Sequence, residues 1–129
     1  MLSLDLLRAV GKGGSLAPIE REVSRRAEHA HDSSCAQAGR KAIEAVGHAR
    51  SWLEATALKG IPALEAGARR FNLTVGRALE LALLVDHAAW AAGKGDPRPA
   101  AAARRFARAP VDLIVDDDLS EDARMLVTG

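Results

Sequence analysis

Four side chains that can bind a metal ion lie close together in the sequence: His29, His31, Asp32 and Cys35. Imidazole and thiolate groups coordinate zinc, but a closed site needs four ligands directed at one centre. His29 and His31 flank the end of a predicted helix, where their two rings are expected to point apart. The stretch therefore favours a surface histidine cluster, and the sequence assigns no metal ligand.

Catalytic residues are equally hard to find in this chain. Ser34 and Cys35 have histidines nearby in the sequence, but an active nucleophile needs an oriented base and a third group that holds the base. Asp86 and His87 are adjacent on a predicted helix, where successive side chains diverge by about 100°. We therefore assign no catalytic residue.

Basic side chains form the clearest pattern that could serve a function. The arginines of the last predicted helix, residues 97–109, are candidates for binding nucleic acid: Arg98, Arg104, Arg105 and Arg108. Three of them share an arc at helical spacing, and guanidinium groups bind phosphate well. The chain lacks a recognition-helix motif and stacking aromatics between the arginines, so a solvated helix face remains the competing interpretation.

Composition indicates which elements must position these residues. The 129 residues include 27 alanines, four aromatic side chains and no tyrosine, which favours helices over a sheet. Cys35 is the only cysteine, so no internal disulfide is possible and a reducing compartment is expected. No signal peptide or membrane span is evident, and we predict a cytoplasmic protein.

Apolar periodicity predicts an all-α fold, an antiparallel bundle of about five helices. The predicted helices cover residues 2–10, 15–30, 33–58, 62–92 and 97–109. Ser15, the Asp32-Ser33-Ser34 cluster and Asp96 are the expected cap signals, and the glycine-rich segments 11–14 and 93–95 are interpreted as turns, not as phosphate loops.

The apolar side chains of the two long helices predict how they pack. The third helix is expected to turn Ile43, Val46, Leu53 and Ala57 inward. The fourth helix keeps a continuous apolar stripe, which Leu81, Leu84 and Ala88 widen, so we expect it to be central and contacted on more than one side. The stripe comprises Leu64, Ala68, Phe71, Val75, Leu79, Ala82, Val85 and Ala89.

Charge divides the chain into two parts. Residues 1–115 are predicted to form a single helical domain and residues 116–129 an acidic tail. The chain before residue 110 carries 17 Lys+Arg and 11 Asp+Glu, a balance of +6, whereas six acids and one arginine between residues 112 and 124 give −5. Such asymmetry is typical of a polyanion-binding face beside a competing acidic segment, or of an ordinary solvated surface.

Several segments resemble the C-terminal end of acyl-CoA dehydrogenases, in particular the AidB-like, alkylation-response branch. They are GARRF (residues 67–71), GRALELALLVDHAAW (76–90), AAARRF (101–106) and the opening LDLLRAV (4–10). In that family the opening segment follows a flavin-contacting Glu-Gly-Thr-Thr-Asn stretch. The resemblance covers nearly the whole chain and implies a C-terminal helical domain or small subunit.

The resemblance also implies what this chain lacks. The helical, β-barrel and flavin-binding domains of those enzymes would precede Met1, so no catalytic or FAD-binding residue is carried over, and the chain is not expected to catalyse dehydrogenation alone. FAD belongs to the parent family, and the implied partner is a flavin-bearing domain or another copy of the chain. The AidB-like branch also implies a basic DNA-binding surface, for which Arg104, Arg105 and Arg108 are the nearest counterparts. A DNA-binding helical module is the alternative function, and a gene remnant without activity of its own is a third.

Overall fold

The computed structural model describes residues 16–115, and this part of the chain is helical without a strand. Its four helices are α1 (Ala17–Ala27), α2 (Ser33–Ala57), α3 (Ile61–Ala92) and α4 (Arg98–Arg108). They correspond to the second to fifth predicted helices. The predicted helix at residues 2–10, the Ser15 cap and the acidic tail at 116–129 lie outside the described residues.

Capping signals place the helix starts close to where the sequence predicts them. Within the expected cap cluster at residues 32–34, Asp32 caps α2, and its carboxylate accepts hydrogen bonds from the Cys35 backbone N–H at 2.7 Å and the Ser34 hydroxyl at 2.9 Å. Helix α4 begins at Arg98, one residue later than predicted, but the Asp96 carboxylate still accepts the Arg98 backbone N–H at 3.0 Å. Gly60, with φ of 98°, makes the turn into α3.

Alanine and other small side chains form most of the inner face of α2. Cys35, Ala38, Ala42, Ala45 and Ala49 recur at alternating three- and four-residue intervals and are buried. This spacing keeps them on one face, and small side chains let neighbouring helices approach closely.

The predicted inner face of α2 was therefore partly wrong. Val46 is buried and Leu53 packs against the core, but Ile43 is 37% exposed and Ala57 is exposed. Ile43 lies next to the buried Ala42, about 100° around the helix, so the alanine stripe turns it outward. The spacing of the alanines therefore indicates the buried face of α2 better than the position of its larger apolar side chains does.

Helix α3 is central, as predicted, and packs against α1, α2 and α4. Most of the expected stripe is confirmed: Phe71, Ala82 and Val85 are fully buried and Leu79 packs against the core, whereas Leu64 and Ala89 are only partly buried. Phe71 stacks on Trp52 of α2 with ring centroids 5.4 Å apart. Gly67 makes room for that indole, because a Cβ there would lie 2.1 Å from Trp52 Cζ2.

The segment after α4 is anchored across α2 and α3. The Lys41 ammonium of α2 donates to the carbonyl oxygens of Ala107 and Ala109, and the Thr74 hydroxyl oxygen of α3 accepts the Leu113 backbone N–H at 2.9 Å. Val111 is buried. These contacts fix the C-terminal end of α4 against the core.

No helix within residues 16–115 is both long enough and apolar enough to cross a membrane.

Candidate functional site

Helix α4 has two chemically different faces. Ala100 and Ala103 are buried and Ala107 packs against the core, so α4 lies on the bundle through alanines. Arg98 and Arg105 lie on the opposite side, since residues seven apart nearly coincide around a helix. The docking of α4 therefore presents its arginines outward.

All four arginines predicted from the sequence border one solvent-open groove of about 650 Å³. Its lining combines cationic heads with a small apolar surface. The lining residues are Leu84 of α3 and, from α4, Arg98, Ala101, Ala102, Arg104, Arg105, Phe106 and Arg108. We call this surface the arginine groove.

Sequence reasoning identified the charged part of the groove and missed its apolar part. The sequence predicts Leu84 only as part of the apolar stripe of the fourth helix, and Phe106 only as part of the segment AAARRF. The signal that could have found Phe106 is its place beside Arg105 on a short, alanine-rich helix.

Arg98 is already paired within the domain. Its Nε donates to Asp96 Oδ1 at 3.0 Å and its Nη2 donates to Oδ2 at 2.9 Å. This fork, helped by the Arg98 backbone N–H, lowers the pKa of Asp96 to about 2 and raises the pKa of Arg98. Arg98 therefore brings less uncompensated charge to the groove than the other three arginines.

Arg104, Arg105 and Arg108 take no part in the ion pairs formed within residues 16–115. Arg105 and Arg108 are exposed, and Arg104 is partly buried. Guanidinium groups can each hold a carboxylate or a phosphate through two parallel hydrogen bonds. The arrangement therefore suits an anionic surface that also carries apolar side chains.

The groove does not fit a flavin. A flavin ring needs an enclosed and largely apolar slot with a few polar groups that fix its orientation. The arginine groove is open to solvent, and half of its lining residues are arginines. We derive no flavin chemistry from these residues.

The histidines near the start of α2 diverge, as the sequence predicts. His29 Nδ1 lies 2.7 Å from Asp86 Oδ1 of α3, whereas His31 Nε2 lies 3.2 Å from Asp32 Oδ2. Cys35 is fully buried, and burial, followed by the nearby Asp32 carboxylate, raises the pKa of its thiol. A neutral thiol is a poor nucleophile.

Asp86 joins α1 to α3. Besides His29 it accepts a hydrogen bond from Arg26 Nη1 at 2.8 Å, and Arg26 Nε donates to Glu22 at 2.5 Å. We call Glu22, Arg26, His29 and Asp86 the acid–base clamp. His87 instead stacks on Trp90 with centroids 5.5 Å apart, which agrees with the rejection of an Asp86–His87 dyad.

Comparison with known families gives a match over most of the chain. Residues 16–124 match the family described as acyl-CoA dehydrogenase 11 C-terminal domain-like. Neither the curated proteins nor the solved structures gave a match. The match agrees with the resemblance to the C-terminal end of acyl-CoA dehydrogenases and covers all four helices. The chain therefore belongs to the acyl-CoA dehydrogenase 11 C-terminal domain-like family.

Proposed function

We propose that this chain is an assembly domain. It binds the flavin-bearing part of an acyl-CoA dehydrogenase of the AidB-like branch, or a second copy of itself. Membership of a family of C-terminal acyl-CoA dehydrogenase domains is the observation that carries the proposal. The arginine groove is the surface that we assign to this contact. Three of its guanidinium groups have no anionic partner within residues 16–115.

Two parts of the assembly have different roles in the dehydrogenation, the flavin-bearing part and this chain. Oxidation of an acyl chain needs a base that removes a proton and a flavin that accepts a hydride. FAD supplies the hydride acceptor when it is bound to the flavin-bearing part. We assign to this chain the role of holding that part in an oligomer.

The chemistry of the groove defines the expected partner surface. Arg105 and Arg108 are exposed and can pair with Asp or Glu side chains, while Leu84 and Phe106 provide apolar area at the same place. Charged contacts of this kind raise the association rate and weaken as salt screens them. We therefore expect an acidic, partly apolar partner surface and an association that declines with ionic strength.

Gel filtration with flavin absorbance and light-scattering detection tests the proposal. The 129-residue chain is mixed with a flavin-bearing acyl-CoA dehydrogenase subunit from the same source. Co-elution of the chain with the flavin signal is expected. A chain that remains monomeric and separate from the flavoprotein at low salt would contradict the proposed function.

Charge-reversal double variants test whether the arginine groove is the contact surface, independently of whether the chain is an assembly domain. Arg105→Glu with Arg108→Glu is expected to abolish co-elution at low salt. Arg69→Glu with Arg70→Glu changes the same charge at two exposed residues of α3 outside the groove and is expected to retain it. If both double variants co-elute normally, the groove assignment fails while the assembly function stands.

DNA binding, the alternative predicted from the sequence, finds no support in the family match. A triple alanine variant tests it through a salt titration of duplex binding. A DNA-binding groove would lose part of the slope of log K against log salt when Arg104, Arg105 and Arg108 are all replaced by Ala. An unchanged slope would reject a role for these arginines in binding DNA.

A further inference from the structure

The geometry points to a zinc-type divalent metal site formed by His31, Asp32 and Cys35, at the start of α2. One ligand atom from each residue, an imidazole nitrogen, a carboxylate oxygen and the thiol sulfur, lies within 4.8 Å of the other two. Nitrogen, oxygen and sulfur are the donor types that zinc accepts in proteins. Of the four residues that lie together in the sequence, the structure brings these three together and directs His29 to Asp86.

The spacing of the two outer ligands matches zinc geometry. Zinc bonds to nitrogen and oxygen are about 2.0–2.1 Å long, so two ligands at the tetrahedral angle lie about 3.3 Å apart. His31 Nε2 and Asp32 Oδ2 are 3.2 Å apart. Little movement of either side chain is therefore needed to bind one ion between them.

The cap at the start of α2 orients the carboxylate for this role. Asp32 Oδ1 accepts hydrogen bonds from the Cys35 backbone N–H and the Ser34 hydroxyl, which leaves Oδ2 directed to His31. Capping alone explains the Oδ1 contacts. The other oxygen, Oδ2, faces the imidazole, and the Cys35 sulfur lies within 4.8 Å of the ligand atoms of both His31 and Asp32.

His31 and Asp32 are exposed, so an ion bound between them can also take a ligand from solvent. His31 and Asp32 line a hollow of about 330 Å³, which also contains Asp96 and Arg104. Three protein ligands with water in the fourth position form an open zinc site. When the metal binds, the Cys35 sulfur forms the metal–sulfur bond and the thiol proton passes to water.

Arg104 opposes a bare cation, because its positive charge acts on Cys35 from the same hollow. This opposition makes a directional test possible. Arg104→Gln removes the charge without removing a ligand, and is expected to strengthen metal binding about two- to fivefold.

Titration of the reduced, full-length chain with Co²⁺ tests the site. A thiolate-to-cobalt charge-transfer band is expected at one equivalent, and Zn²⁺ should remove it by displacing cobalt. Cys35 is the only cysteine of the chain, so the band reports this residue alone. Absence of the band at saturating Co²⁺ would overturn the inference.

Three variants and a control identify the remaining ligands. Cys35→Ser is expected to eliminate the band, and His31→Gln to weaken binding at least about tenfold. Asp32→Asn retains a capping side chain while it removes the charge, and is also expected to weaken binding. His29→Gln, in the same stretch but directed to Asp86, should bind like the unmodified chain.

Circular dichroism at matched concentration verifies that each variant keeps its helices. Equal affinity of the His31→Gln variant and the unmodified chain would reject His31 as a ligand and, with it, the proposed three-ligand site.

Discussion

The acid–base clamp and the arginine groove are both rich in charged side chains. Those of the clamp are paired with one another, whereas most of those in the groove are unpaired within residues 16–115. In the clamp, Asp86 is paired with Arg26 at 2.8 Å and with His29 at 2.7 Å, and Arg26 also reaches Glu22. In the groove, only Arg98 has a carboxylate partner within residues 16–115. Paired charges can hold one helix to another, whereas unpaired charges add little to the stability of the domain and remain available to a partner.

The largest effect is expected from breaking the clamp with Asp86→Ala. Asp86 and Arg26 are only 24% and 29% exposed, so removal of the carboxylate leaves partly buried donors without their acceptor. The free energy of unfolding should fall by about 1–2 kcal/mol, measured by urea denaturation. Glu80→Ala, at an exposed carboxylate of the same helix, is the control and should change it by less than about 0.5 kcal/mol. Equal effects of the two variants would show that the clamp contributes nothing specific.

A somewhat smaller effect is expected from Thr74→Val, which tests what holds the end of α4. Thr74 is fully buried, and its hydroxyl oxygen accepts the Leu113 backbone N–H. Valine has nearly the same shape but leaves that N–H without its acceptor, so stability should fall by about 1 kcal/mol. Thr74→Ser keeps the hydroxyl, and Leu113 should retain the slow amide exchange that the valine variant loses. Unchanged exchange in both variants would contradict the proposed anchor.

The Asp96–Arg98 pair is the one part of the groove where, as in the clamp, opposite charges are paired within residues 16–115. Its contribution to the free energy of unfolding should be smaller, because Arg98 is largely exposed. The pKa of Asp96 is about 2 in the folded chain, against an ordinary value of 3.8. The pair therefore adds to stability above about pH 3.8 and loses its contribution as the pH falls from there towards 2. Arg98→Ala should raise the pKa of Asp96 towards its ordinary value, measured by NMR titration of the carboxyl carbon. A value still near 2 would show that the backbone N–H alone is responsible.

The contrast between the two regions also shows what the sequence can and cannot predict. Local rules predicted a cap at residues 32–34, the ends of the four described helices within about three residues and the arc of Arg98, Arg105 and Arg108. They could not predict the contact of Arg26 with Asp86, because 60 residues separate them and only tertiary packing brings them together.

The prediction for the inner face of α2 was partly wrong for a related reason. The predicted face ran through Ile43 and Ala57, whereas close packing selected the alanine stripe from Ala38 to Ala49 and left Ile43 partly exposed. Similarly, the convergence of His31, Asp32 and Cys35 depends on the conformation of a cap, which spacing alone does not specify.

The smallest effect on stability is expected from the groove itself, through Arg105→Ala with Arg108→Ala. Neither side chain forms an ion pair within residues 16–115, and both are exposed, so the free energy of unfolding should change by less than about 0.5 kcal/mol. The same substitutions should weaken the salt-sensitive association with the flavin-bearing subunit, because they remove charges that have no anionic partner within residues 16–115. A loss of stability comparable to that of Asp86→Ala would show that these arginines serve the fold, and the distinction between clamp and groove would then fail.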